Sequence, residues 1–410
     1  MHDKPIHIAI ILCLLISLTT APAPVVGSSI RGVRAEAQPG YLASRRALLR
    51  RLEDVSTDID DTEEKEASVL LEIADLSIDN GLFTEGMSYA GATEEDTLPV
   101  ELKRRRARLM AIATALDHLK TPDPKSWQQS FNDNQDWPMK RVYFSVVQAR
   151  AGHYEAALEI LKPAIEEIAD LPPAQFGAVL PPLLTAAVEV SDWATARAIV
   201  DRFVGVEHLR HSSALDYHLG LISWRHDEPV RAFDHFVEAA GHGDVWGHRA
   251  RLALIELALQ SGAASPEEAE QMLMRTYSYW RGSDESVAPL KRLKTLHLGR
   301  GDIVAALDIL GKIILEHGNT AEGLEAKTQA SALVSQFYAS GRSGDMELQE
   351  FLDGHRRIAG SYRFVEGFDL ATESFADHFY AVGATAIAAE EYRLTYDYLD
   401  VSRTLGVFDV

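Results

Sequence analysis

The chain has 410 residues, of which 46% are apolar and 25% charged, a composition typical of a folded protein and unlike disordered or fibrous sequences. The 61 Asp and Glu residues outnumber the 40 Lys and Arg residues, so the formal net charge is −21. Because phosphates and anionic lipid head groups would repel so acidic a chain, nucleic acid and membrane surfaces are not expected partners.

The first element is an apolar run from Ile6 to about Leu18, which follows Lys4 and is typical of a secretory signal peptide. The run is about 13 residues long, shorter than the roughly 20 that a membrane-spanning helix needs, so we expect cleavage rather than a retained anchor. Small residues fit a cleavage site after Ser28 or after Ala37, and we favour the second, which removes residues 1–37. The single cysteine, Cys13, would leave with them, and the mature protein is expected in the periplasm without disulfides.

Residues 38–66 are predicted to form an N-terminal helix, around Leu42 to Leu52, followed by an acidic linker. The linker, from Glu53 to Glu66, is rich in Asp and Glu and poor in apolar residues. We interpret it as a solvated loop, and an interaction tail is the alternative.

From Ala67 onward, apolar residues recur at spacings of three and four, which predicts an essentially all-α region over residues 67–410. A longer period is superimposed on the helical one. A residue suited to a tight turn is followed two positions later by a bulkier residue and five positions later by a small one. The clearest turn and small residues are Gly81 with Gly86, Gly152 with Ala157, Ser191 with Ala196, Asp227 with Ala232, and Gly301 with Ala306, with weaker small-residue matches at Ala269 and Ala388.

The successive gaps between the small residues from 157 to 306 are 39, 36, 37 and 37 residues. Such a period holds two antiparallel helices of about a dozen residues each and a tight turn. The turn residue tolerates a left-handed backbone conformation, and the small residue lets two helix backbones approach closely. Because one hairpin cannot bury its own apolar stripe, the hairpins stack, and about nine pairs fit between Ala67 and Leu405.

These hairpins resemble tetratricopeptide repeat (TPR) units, most closely over Tyr217–Gly220 with its partner helix and over Ala151–Ala157. From Leu70 to the C-terminus the chain resembles a group of exported alphaproteobacterial TPR proteins, with similar short sequence motifs at Asn80–Phe83 and Tyr279–Gly282. The resemblance implies a TPR-like right-handed α-solenoid whose groove binds another protein. It also implies a role in envelope assembly or in the flagellar motor.

The chain departs from the usual TPR pattern in three respects. Its units are longer than the customary 34 residues. The sequence Thr121–Pro124 replaces a regular turn, and the stretch from Gly318 to Phe368 fits no unit well. Individual repeat boundaries there do not follow from the pattern.

The sequence lacks the common signatures of catalysis. Gly-x-Ser-x-Gly, Gly-x-x-x-x-Gly-Lys, Gly-x-Gly-x-x-Gly and His-Glu-x-x-His do not occur. We therefore assign no catalytic residues, no cofactor and no metal ligands, and expect a protein that is not an enzyme. An enzyme whose site has no recognisable signature is the competing class.

Histidine is concentrated in the segment 208–248, which holds seven of the 15 histidines: His208, His211, His218, His226, His235, His242 and His248. Neutral imidazoles bind zinc or copper, so a metal- or ligand-binding periplasmic module is the alternative function. Solvated or capping histidines on polar helix faces are the favoured interpretation, because no cysteine or carboxylate constellation accompanies them.

Two further residue groups have a structural and a functional interpretation. The basic run Lys103–Arg106 with Arg108 could bind an acidic partner or the chain's own acidic linker, and the favoured interpretation is the solvent-facing side of one helix. The tryptophans are predicted to pack between helices: Trp127, Trp137, Trp193, Trp246 and Trp280.

In a TPR-like array, the first helices of successive hairpins line a concave groove that binds extended peptides or partner helices. The helical phase of the clearest units places six candidate partner-binding residues near that groove: Arg150, Glu189, Tyr217, Trp224, Arg225 and Lys291. The sequence thus predicts a non-enzymatic periplasmic scaffold or adaptor. Its expected partner is another periplasmic or envelope protein, and no stable membrane span is expected after signal cleavage.

Overall fold

The structure, a computed structural model, describes residues 40–57, 63–117, 122–133, 137, 139–281, 283–362 and 368–405. The predicted signal peptide, both cleavage sites and Cys13 lie outside these ranges. Within them all regular structure is helical and no strand occurs, which confirms the predicted all-α class.

The described residues form nineteen α-helices and four 3-10 segments. The α-helices are α1 (Tyr41–Thr57), α2 (Glu63–Asp79), α3 (Phe83–Gly91), α4 (Val100–Leu116), α5 (Pro124–Asp133), α6 (Lys140–Arg150), α7 (Tyr154–Leu161), α8 (Phe176–Glu189), α9 (Trp193–Gly205), α10 (Ser213–Arg225), α11 (Pro229–Ala240), α12 (Val245–Gln260), α13 (Pro266–Trp280), α14 (Val287–Gly299), α15 (Ile303–His317), α16 (Ala321–Ser343), α17 (Leu348–Tyr362), α18 (Phe368–Ala381) and α19 (Thr385–Leu405). The 3-10 segments are Glu95–Thr97, Lys162–Asp170, Pro173–Gln175 and Asp284–Ser286.

The described residues divide into two compact units, those within 27–251 and those within 252–410, with the boundary inside α12. In the first unit the consecutive helices α2–α3, α6–α7, α8–α9 and α10–α11 pack as hairpins, and the first helices α6, α8 and α10 also pack on one another. One continuous cluster of buried apolar residues extends from Leu71 to Leu215. In the second unit α14–α15, α16–α17 and α18–α19 pack as hairpins. Each unit therefore has the TPR-like arrangement of stacked helix hairpins.

The turn residues predicted from the sequence all adopt the left-handed backbone conformation. Their φ angles lie between +58° and +80°. After α6, the Gly152 N–H donates to the Ala149 carbonyl (3.1 Å) and the His153 N–H to the Gln148 carbonyl (2.9 Å), the two bonds of a Schellman motif. These bonds satisfy carbonyls at the end of the first helix and reverse the chain. The five residues are Gly81, Gly152, Ser191, Asp227 and Gly301, and Gly262, Gly344 and Gly383 have the same sign of φ.

The small residues five positions after these turns are buried where the two helices of a hairpin cross. Ala157, Ala232 and Ala306 have no exposed surface. At Gly86 a Cβ would lie 2.5 Å from the Ile78 side chain, a distance that no real contact tolerates. The small residue is therefore required by the close approach of the two backbones, as the sequence pattern indicated.

The stretch from Gly318 to Phe368 does form a hairpin, α16–α17, although it lacks a small residue five positions after its turn. Two glycines elsewhere in the hairpin allow the helices to meet. A Cβ on Gly354 would lie 2.5 Å from the Phe337 ring, and a Cβ on Gly341 would overlap the Phe351 ring. The same packing requirement is met at different positions, so the sequence period does not reveal this unit.

The predicted loop from Glu53 to Glu66 is wrong at both ends. Helix α1 continues to Thr57, and α2 already begins at Glu63. Three carboxylates occupy the first turn of α2, where the partial positive charge of the helix N-terminus stabilises them. An acidic composition alone therefore did not distinguish a loop from a helix start.

No helix in the described ranges combines the length and the apolar character that crossing a membrane would require.

Candidate functional site

Three of the six candidate residues occupy the same place in successive hairpins. Arg150, Glu189 and Arg225 each lie two residues before the left-handed residue of a hairpin turn, at the end of α6, α8 and α10. Arg150 Nη1 donates to the Ala115 carbonyl at 2.6 Å, and burial lowers its pKa while Asp117 opposes that shift. Arg150 therefore joins α6 to the end of α4, and only part of its side chain is accessible.

Glu189 and Arg225 form an ion pair with each other. Arg225 Nη2 lies 2.9 Å from Glu189 Oε2, and both side chains are about two-fifths exposed, at 44% and 37%. The pair joins the first helices of neighbouring hairpins, α8 and α10. A partner that uses either charge would have to compete with this existing contact.

Tyr217 and Trp224 lie on one side of α10, two turns apart, as the sequence spacing predicted. Both rings pack on Phe236 of α11, at centroid distances of 6.0 Å and 5.9 Å, and Phe236 is fully buried. Both side chains are half-buried. They therefore support the α10–α11 hairpin and also leave part of each ring accessible.

A cluster of two aromatic rings and one guanidinium forms between α10 and α12. The rings of Tyr217 and Trp246 lie 5.7 Å apart, and the Arg249 guanidinium lies 4.7 Å from the Trp246 ring centroid. All three side chains are half-buried. A cation over an indole face is attracted by the negative face of the ring. We call Tyr217, Trp246 and Arg249 the aromatic–arginine cluster.

The charge of Arg249 and that of Glu189 both act on Tyr154, the first residue of α7. Burial raises the pKa of the Tyr154 hydroxyl, Glu189 raises it further, and Arg249 lowers it. The aromatic–arginine cluster and the Glu189 carboxylate are thus electrostatic neighbours within the first unit. Two of the residues, Trp246 and Arg249, were not predicted as candidates, because a tryptophan at helical spacing was interpreted as packing only.

Lys291 lies on α14, in the second unit. Its Nζ is 3.8 Å from a carboxylate oxygen of Glu325 and 4.0 Å from one of Glu322, both on α16. Its charge is therefore shared with two carboxylates of the next hairpin. The other candidates lie in the unit of residues 27–251.

The basic run in α4 forms ion pairs within the chain. Arg105 Nη2 lies 2.7 Å from Asp75 of α2, and Arg106 Nη1 lies 2.6 Å from Glu95. Arg104 pairs with Glu101 one turn earlier on the same helix. Arg105 thus joins α4 to α2 of the preceding hairpin, and Arg106 joins it to the 3-10 segment Glu95–Thr97. The acidic linker is not among the described partners of these arginines.

The histidines of segment 208–248 are spread over several environments. His208, His211, His226 and His242 are exposed, while His218 and His248 are fully buried. No group of three His, Cys, Asp or Glu side chains within the described ranges could hold a metal ion. We assign the Nδ1–H tautomer to His218, which donates to the Ala214 carbonyl (2.6 Å) while Nε2 accepts from the Thr185 hydroxyl (2.8 Å).

Three buried side chains in the second unit are hydrogen-bonded in the order hydroxyl, imidazole, carboxylate, and we call them the polar chain. The Tyr338 hydroxyl lies 2.7 Å from His355 Nδ1, and His355 Nε2 lies 3.0 Å from Glu391 Oε2. All three side chains are at most 6% exposed, so no substrate could reach them in this structure. The hydrogen bonds of the polar chain join α16, α17 and α19, so these three side chains have a structural role. Residue spacing could not have shown it, because the three residues lie on different helices.

No protein-family model matches this chain, and no curated protein matches it. Among solved structures, it is similar to yeast Tom70, at 13% identity and a TM-score of 0.40, over 82% of this chain and 65% of the Tom70 chain. It is also similar to a monomeric mutant of IFIT1 with Gppp-AAAA, at 9% identity and a TM-score of 0.34, over 93% of this chain and 99% of that one. The chain thus spans less than two thirds of the Tom70 length. Similarity at these TM-scores implies nothing about partners, and the TPR-like class rests on the hairpins themselves.

Proposed function

We propose that the protein is a non-enzymatic periplasmic scaffold or adaptor that binds another exported or envelope protein, in envelope assembly or in the flagellar motor. The observation that carries the proposal is the aromatic–arginine cluster, which Tyr217 of α10 forms with Trp246 and Arg249 of α12. The apolar N-terminal run and the resemblance to exported TPR proteins support the location and the process.

The cluster has the chemistry of an interaction hot spot. Tryptophan, tyrosine and arginine are the side chains that most often dominate protein interfaces. Here the rings are held in place by Phe236 and by each other, so little side-chain entropy is lost when a partner binds. The nearby Glu189–Arg225 ion pair adds polar groups to this surface, which suits a partner segment with both apolar and charged residues.

The test of the binding surface is truncation of the cluster. We expect Trp246→Ala or Arg249→Ala to weaken partner binding by about 2 kcal/mol, or roughly 30-fold, with an unchanged helical circular dichroism spectrum. Trp193→Ala is the matched control, since Trp193 is also half-buried but lies on α9, a second helix. Equal loss of binding in Trp193→Ala and Trp246→Ala would refute the assignment of the surface.

The partner is to be captured from periplasm with a photo-reactive amino acid placed at Tyr217, and with the same group at Trp193 for comparison. An envelope or motor component cross-linked only from position 217 would support the proposed process. Loss of motility on deletion of the gene distinguishes the motor role from envelope assembly. The proposed binding surface does not depend on whether the protein acts in envelope assembly or in the motor, because the test of the surface needs only the captured partner.

The location is tested by cell fractionation and by mass spectrometry of the mature N-terminus. We expect the protein in the periplasm, starting at Gln38 and lacking Cys13. A start at Ser29 would move the cleavage site, and an intact Met1 in the membrane fraction would mean a retained anchor.

A further inference from the structure

The last hairpin leaves a tyrosine-rich apolar face exposed to solvent. Tyr380 at the end of α18 is 66% exposed, and Tyr396 on α19 is 69% exposed. Leu370, at the start of α18, and Val382, in the turn, are similarly exposed.

Two carboxylates lie within this face. Glu373 and Asp377 are four residues apart on α18, on the same side as Tyr380, and we call them the acid pair. The Tyr392 hydroxyl of α19 donates a hydrogen bond to Asp377, and this bond, with the negative charges of the acid pair, raises the Tyr392 pKa to about 12. In the part of the chain that the structure describes, neither carboxylate forms an ion pair.

Helix α1, the first helix of the described residues, presents the opposite charge. Arg46 and Arg50, four residues apart on α1, are exposed and make no ion pair with any described residue, and we call them the arginine pair. Their neighbours Arg45 and Arg51 are held at 2.7 Å by Glu85 and Glu72 of the first unit. One turn before the arginine pair lies a large apolar side chain that is 60% exposed, Leu42.

We propose that the last hairpin of one copy binds the first helix of a second copy, so that the protein associates head to tail. The acid pair and the arginine pair have the same spacing along their helices. An antiparallel alignment that places Leu42 opposite Tyr380 also places each arginine within one residue, about 1.5 Å along the helix axis, of a carboxylate. The contact combines apolar burial with two ion pairs.

The charge of the chain determines which ends can meet. With a net charge of −21, two copies repel each other in general, and two acidic last hairpins would do so most strongly. Helix α1 offers a basic surface that complements the last hairpin. Because the contact joins two different surfaces, each added copy brings the surface that a further copy can bind, until a ring closes or a filament forms.

The test uses the purified protein and measures its mass by sedimentation over a range of concentrations. We expect the mass to rise with concentration at low salt and the rise to disappear at high salt. The double variants Glu373→Arg/Asp377→Arg and Arg46→Glu/Arg50→Glu should each associate at least tenfold more weakly than the unmodified protein. A mixture of the two variants should recover association, because each variant then offers the charge that the other lacks.

A control with the same change in charge is Glu155→Arg/Glu159→Arg, an exposed pair four residues apart on α7. It should associate like the unmodified protein. The proposal is overturned if the unmodified protein stays monomeric up to its solubility limit. It is also overturned if the control weakens association as much as the acid-pair variant, or if the mixture of charge-reversed variants remains monomeric. None of these three results bears on the aromatic–arginine cluster, whose test is partner binding.

Discussion

Arg225 on α10 and Glu189 on α8 are 36 residues apart, and their side chains meet at 2.9 Å. The same separation of 36 residues recurs between Arg202 and Glu166, in the same unit. In the other unit it recurs between His355 and Glu391. The separation equals one hairpin unit for the first contact and is three residues short of the unit for the other two, so each contact joins neighbouring hairpins.

The Arg225–Glu189 pair is expected to contribute little to stability. Both side chains are partly exposed, and such pairs typically contribute about 0.2–1 kcal/mol. Arg225→Ala should therefore lower the free energy of unfolding by less than about 1 kcal/mol, as measured by urea denaturation. A double-mutant cycle with Glu189→Ala isolates the pair, and a coupling energy well above 1 kcal/mol would contradict this expectation. Because Arg225→Ala should lower the free energy of unfolding so little, it is a suitable probe of partner binding.

The buried alanines at the hairpin crossings should not tolerate larger side chains. Ala157→Leu or Ala232→Leu is expected to destabilise by about 1–3 kcal/mol, because the extra methylene groups must fit between closely packed helices. The measurement is thermal or urea unfolding. Ala194→Leu is the control, since Ala194 is exposed on α9, two residues before the crossing residue Ala196. A loss of stability in the control alone would mean that the crossing positions are wrongly assigned.

Two glycines two positions apart, one with a left-handed backbone and one without, allow the effect of that backbone conformation to be measured. Gly301→Ala should destabilise by about 1 kcal/mol, since φ is +76° there and a Cβ disfavours that conformation. Gly299→Ala should be neutral or slightly stabilising, because Gly299 ends α14 without positive φ and a Cβ would meet nothing within 4 Å. Unfolding of the two variants under the same conditions tests this. Equal effects would show that the backbone conformation at Gly301 is not the cause.

Stability should decrease as the pH is lowered, because of His218. Burial lowers the pKa of this imidazole from 6.5 to about 4, so folding favours its neutral form. The free energy of unfolding is thus unaffected by this group above pH 6.5 and decreases as the pH falls from 6.5 to about 4, by up to about 3 kcal/mol. The pH dependence of unfolding in His218→Asn should be flatter over this window. His208→Gln, at an exposed position, should keep the original slope.

Glu391 should be more important for stability than its neighbour in the chain. Glu391→Ala leaves the buried His355 imidazole without its carboxylate and is expected to cost about 3 kcal/mol. Glu391→Gln keeps an acceptor and should cost less. Glu390→Ala, at an exposed position, should stay within about 0.5 kcal/mol of the unmodified protein. If the Glu390 and Glu391 variants melted alike, the polar chain would have no structural role.

Much of the fold could be predicted because local chemistry determines it. A left-handed turn needs a residue such as Gly152 or Asp227, and a close helix crossing needs one such as Ala157 or Ala232. Both requirements appear at fixed spacing in the sequence. The α16–α17 hairpin escaped prediction because Gly341 and Gly354 meet the same need at other positions.

The candidate site was less predictable, since half-buried aromatic residues serve both packing and binding. Tyr217 and Trp224 were predicted to share a face, and they do, but that face also packs on Phe236. The contact between Trp246 and Arg249 depends on how the helix is rotated against α10, which residue spacing does not determine. Whether the six candidate residues bind a partner stays a prediction.

The 36-residue separation of the polar contacts has a mechanical consequence. Under a pulling force, a hairpin can detach once the contacts with its two neighbours break, without the rest of its unit having to unfold. A segment of 36 residues that leaves the folded state contributes roughly 120 Å of extended chain. We therefore expect the protein to lengthen in steps of one hairpin, so that it yields gradually under tension.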